Sequence, residues 1–85
     1  MTANLRVPKS MPEAHVVWAF RYGVARAKLS VFNDSSTLRR HNLGGLIAAP
    51  RNVRLLADRV WFAAEQRYRE RLRAASAVTE QGENR

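Results

Sequence analysis

The sequence predicts an all-α fold: a small helical hairpin or three-helix domain with a long C-terminal helix, as a monomer or a homodimer. Three observations predict it. Residues 51–76 repeat apolar side chains at helical spacing. Ser10-Met11-Pro12-Glu13 opens a second long apolar stretch with the residues of a capping box. Between them, the turn-forming run Asn33-Asp34-Ser35-Ser36-Thr37 and the later Pro50 interrupt the pattern.

The first helix is expected over about 11–31. Ser10 stands where an N-cap would, Pro12 is tolerated in a first turn, and Glu13 follows Ser10 by three residues. At 100° per residue this helix carries two apolar faces. Val16, Phe20, Val24, Ala27 and Val31 form one; Met11, Trp18, Tyr22, Ala25 and Leu29 form the other. Two narrow polar strips separate them, Arg21 with Lys28 and His15 with Arg26 and Ser30. A helix apolar on two sides is central, covered by another helix or by a second copy of the chain. The run Val16, Trp18, Phe20, Tyr22, Val24 also alternates, as a strand does, and its residue types favour strands. The capping box and the alanines decide for helix.

In the link, Leu38-Arg39-Arg40-His41-Asn42 reads as a short helix or loop stopped by Gly44 and Gly45. Pro50 disfavours helix at Ala49 and can open the next one. In the last helix Val53, Leu56, Ala57, Val60, Trp61, Ala64, Tyr68 and Ala75 share a face. Leu55 and Phe62 fall opposite, beside Arg51, Arg69 and Arg73. Trp18, Phe20, Tyr22, Val24, Leu56, Val60, Trp61 and Ala64 are the expected core. Residues 1–9 read as a flexible arm, 10–76 as the helical core, and the polar segment 77–85 as a disordered tail, all within a single domain over 1–85.

Composition narrows the function. A chain of 85 residues buries only about 60% of its unfolded surface, so its core is thin. With no cysteine, disulfides and thiolate metal sites are excluded. No apolar run approaches the roughly 18 residues of a membrane span, and residues 1–15 lack a signal-peptide core. A cytoplasmic location and no membrane partner are therefore expected. The net charge is +8 and the pI is near 11.5. Such a surplus draws a chain toward polyanions. Arginine outnumbers lysine thirteen to two, which suits bidentate phosphate contacts. A GC-rich genome also favours arginine over lysine, but that does not account for the excess of bases over acids. The bases are spread along the chain, seven against two acids in residues 1–50 and eight against five in 51–85.

Catalytic patterns are missing. Asp58 and Glu65 share a helix face among arginines, the wet side rather than a cleft. His15 and His41 are far apart and lack ligand partners for zinc. Gly44-Gly45 has no phosphate-loop context, and Ser35, Ser36 and Thr37 form no nucleophile elbow. The expectation is no enzyme, no metal and no cofactor.

The binding candidates are of two kinds. Arg39 and Arg40 stand in the link; Arg51, Arg59, Arg69 and Arg73 share one side of the last helix. The run Arg67-Tyr68-Arg69-Glu70-Arg71-Leu72-Arg73 is the densest basic cluster, but alternate residues step 200° around a helix, so its arginines cannot all enter one groove. These six are the expected phosphate contacts, with DNA or RNA as partner. Trp18, Tyr22, Leu55 and Phe62 are apolar side chains on partly open faces and the expected protein interface.

Residues 20–26, Phe-Arg-Tyr-Gly-Val-Ala-Arg, resemble a pattern of small tailed-bacteriophage proteins: an aromatic or leucine, Arg-Tyr, three residues, then Arg. Phe20, Arg21, Tyr22 and Arg26 carry it. After Arg26 the chain departs from that pattern, with Ala-Lys-Leu-Ser-Val-Phe in place of a Thr-Tyr or Ser-Tyr pair. The resemblance implies a phage or prophage source and a partner in host machinery or nucleic acid. The expected function is thus a small basic, regulatory nucleic-acid-binding protein, with a host-protein modulator as the alternative.

Overall fold

Pro12 sets where the first helix begins. A proline pushes the residue before it out of the α region, so Met11 cannot be helical. In the computed structural model, which describes residues 5–42 and 49–83, α1 spans Glu13–Phe32, with Pro12 as its N-cap. The Pro12 carbonyl accepts the N–H groups of His15 and Val16 at 3.0 and 3.1 Å. No side chain caps this end, so the expected Ser10–Glu13 capping box does not form. Instead the Pro8 carbonyl accepts the Met11 N–H at 3.1 Å, and that turn folds Met11 into the core. Leu5 packs against the same core, which ties the expected arm to the helices.

No strand occurs among the described residues, and the alternating run 16–24 is helical throughout. Asn33 ends α1 in the left-handed conformation (φ 55°, ψ 34°), and the N–H groups of Asn33 and Asp34 both reach the Lys28 carbonyl. α2 is a single short helix, Ser36–Arg40, beginning two residues before the expected start. The Asp34 carboxylate accepts the Ser36 N–H at 2.9 Å, and its pKa is lowered first by the Ser36 hydroxyl and then by this backbone bond. Asn42 has a φ of 50°, and the expected stop at Gly44 and Gly45 lies outside the described residues.

α3 spans Arg51–Glu83, started by the Pro50 carbonyl, which accepts from Val53 and Arg54. It continues through most of the segment expected to be a disordered tail. No proline interrupts residues 77–83, and Ala77, Glu80 and Gln81 propagate a helix readily.

The two long helices run parallel, not as a hairpin. Gly23 of α1 abuts Ala57 and Val60 of α3, Arg26 lies over Trp61, Ser30 meets Glu65, and Phe32 meets Tyr68. Position rises along both helices together. The link explains this. An antiparallel pair needs only a few residues of connection, whereas 33–50 is long enough to return to the start of α1. On the way α2 packs on α1.

Close approach determines which residues are dry. Ala19, Gly23, Ala25 and Ala27 of α1 are buried; Ala19 clusters with Val53, Leu56, Ala57 and Val60 of α3, and Gly23 abuts Ala57 and Val60. A Cβ on Gly23 would stand 2.7 Å from the Val60 Cβ and 2.8 Å from the Ala57 carbonyl oxygen. Small residues therefore line the crossing. Trp18, Phe20, Tyr22 and Val24, expected at its centre, are half-buried walls around it. Trp61 and Ala64 are likewise half-buried. The molecule measures 55 × 28 × 15 Å because α3, 33 residues and about 50 Å long, outruns α1.

Candidate functional site

Helical spacing builds a ladder on α1. Trp18, Tyr22 and Arg26 follow one another at i, i+4 and i+8. The Trp18 and Tyr22 rings stack with centroids 5.1 Å apart and planes 12° from parallel. The Arg26 guanidinium carbon lies 5.9 Å from the Tyr22 centroid and 4.7 Å from that of Trp61 on α3. Its Nε–H is buried without a hydrogen-bond acceptor, so the aromatic faces hold this cation in place of a carboxylate.

Trp61 carries the ladder into a polar seam. Its indole N–H donates to Glu65 at 2.8 Å. The Ser30 hydroxyl also donates to Glu65, and this is the largest cause holding the Glu65 pKa below its ordinary value of 4.5; the Trp61 bond and the Arg69 charge add to it, and burial opposes it. Arg69 stands 3.8 Å from Glu65.

At the other end of the ladder the surface opens. Trp18 and Tyr22 form one wall of a groove of about 680 Å³; Arg51, Arg54, Leu55 and Asp58, from the first turns of α3, form the other. A second groove of about 540 Å³ also borders Trp18, between Glu13, Val17 and Arg21 of α1 and His41 just after α2. Trp18 lines both.

The two sets of residues that sequence kept apart meet here. Trp18, Tyr22 and Leu55, expected at a protein interface, share the larger groove with Arg51, an expected phosphate contact. The remaining candidates lie elsewhere. Phe62 is 63% exposed on the outward face of α3, and Arg59 and Arg73 are exposed. Arg69 is shared with Glu65, and Arg39 and Arg40 are exposed on α2. Sequence reasoning missed Arg54, three residues from Arg51, and the pairing of Arg26 with Trp61. Both depend on the parallel direction of α3, which places its first turns beside Trp18.

Among the described residues no three His, Asp or Glu side chains cluster as metal ligands, and no helix is long and apolar enough to cross a membrane. Comparison with protein-family models, with curated proteins and with solved structures gives no match to this chain.

Proposed function

We propose that this protein binds nucleic acid through its phosphate backbone. One observation carries the reading: among the described residues Glu65–Arg69 is the single ion pair within 4 Å, in a chain of net charge +8. The guanidinium groups of Arg51, Arg54, Arg59 and Arg73 on α3, and of Arg39 and Arg40 on α2, reach the surface without a carboxylate partner at that distance. Arginine forks of this kind suit phosphate, and α3 spreads its own over about 33 Å from Arg51 to Arg73. Fluorescence anisotropy with a labelled oligonucleotide at 50 mM salt tests the proposal. Micromolar or tighter binding is expected, and absence of binding to both DNA and RNA removes the reading.

A second reading has its own observation. Leu55 and Phe62 are 45% and 63% exposed on one face of α3, two turns apart, which suits a protein partner. A pull-down with nuclease treatment separates the two, because a nucleic-acid bridge is lost and an apolar contact is kept.

A further inference from the structure

We infer that the protein prefers single-stranded nucleic acid, with one unpaired base stacked on Trp18 where the two grooves meet; this rests on the nucleic-acid reading above. The stack running from Trp61 through Arg26 and Tyr22 ends at Trp18. One indole face is taken by Tyr22 at 5.1 Å, and no further ring or cation lies against Trp18 among the described residues. The side chain is partly buried against the core and is the shared wall of both grooves. A base laid on the indole extends a stack that is already in register, so little order is lost on binding.

Arginine lines both grooves beside that position. Arg51 and Arg54 line one groove, and Arg21 and His41 line the other. A strand crossing Trp18 therefore meets phosphate ligands before and after the stacked base. Each groove also holds one carboxylate, Asp58 or Glu13, which repels phosphate and accepts an exocyclic amino group of a base. This division, charge at the flanks and an aromatic face between, is that of a single-strand track. A duplex offers no free base face at such a ridge, and unstacking one costs energy that an unpaired base does not.

The test compares a single strand of about 12 nucleotides with its duplex, by anisotropy at 50 mM salt. The single strand is expected to bind at least about tenfold tighter. Trp18→Ala is expected to weaken single-strand binding roughly 5- to 150-fold, with duplex binding unchanged, and Trp18→Phe to retain most of the affinity. Circular dichroism confirms that each variant is folded, and the strand-to-duplex ratio of the wild type needs no variant at all. A ratio near one, or a folded Trp18→Ala chain that binds the single strand as the wild type does, overturns the inference and leaves the nucleic-acid reading standing. Failure of both probes to bind takes both down.

Discussion

The two halves of α3 belong to one helix but are held by different forces. Its first half, to about Tyr68, lies along α1, and its inward face (Val53, Leu56, Ala57, Val60) is dry. From Arg69 to Ala77 every residue is exposed. The first half is fixed by tertiary packing. The second rests on helix propensity and on contacts within the helix, such as Glu65–Arg69 and Arg71 over Tyr68 at 5.9 Å. Apolar surface is thus concentrated at one end, while basic side chains run along the whole outer face. Stability and the proposed phosphate binding are therefore expected to be separable by mutation.

The sharpest contrast pairs two leucines of the same helix. Leu56 is 2% exposed and Leu72 is 43% exposed. Leu56→Ala is expected to cost about 3 kcal/mol in urea denaturation, by lost burial and the cavity left behind. Leu72→Ala is expected to stay within about 0.5 kcal/mol of wild type. Similar losses at the two positions would mean that the second half is packed after all.

Gly23 tests the crossing itself. An added Cβ meets the Ala57 backbone and the stiff Val60 side chain, so the helices must separate. Gly23→Ala should gain about 1 kcal/mol in helix propensity and lose more to overpacking, a net loss of about 1–2 kcal/mol. A stabilised Gly23→Ala chain would show that the helices are not in close contact there.

Acid probes the seam. The Glu65 pKa is lowered in the folded chain, so its carboxylate contributes stability above the ordinary value of 4.5, and this is lost as pH falls below it. Glu65→Gln is expected to be less stable than wild type at pH 7, with the gap narrowing in acid. A gap that persists unchanged in the acid melting curve would assign the effect to packing instead.

The smallest effect on stability is expected on the outer face. Replacing Arg59 and Arg73 together by alanine should leave stability within about 0.5 kcal/mol. It should also reduce the log–log salt slope of nucleic-acid binding by roughly 1.5–2, the share of two phosphate contacts.

Much of the fold was legible in the sequence because it depended on local chemistry. The stripe from Val53 to Tyr68, the breaks at Asn33 and Pro50 and the short helix near Arg39 all follow from residue type and spacing. The direction of α3 was not legible. Periodicity places a stripe on a helix but does not say which way the next helix runs, and the length of the 33–50 link was the available clue. Bulk was also misleading. Large side chains suggested that Trp18 to Val24 fill the core, yet the fully buried positions of α1 are Ala19, Gly23, Ala25 and Ala27, with the large side chains packed around them; the four-residue spacing of Ala19, Gly23 and Ala27 was the signal to read. The candidate site shared both difficulties. Its residue types stood out singly, but their meeting in one groove is a product of parallel packing.

The most direct test of the account is the salt dependence of oligonucleotide affinity between 50 and 200 mM. With about four arginines on phosphate, a log–log slope near −3 and a loss of roughly two orders of magnitude are expected. A flat salt response, or no measurable complex at the lowest salt, would contradict a surface built to hold a polyanion.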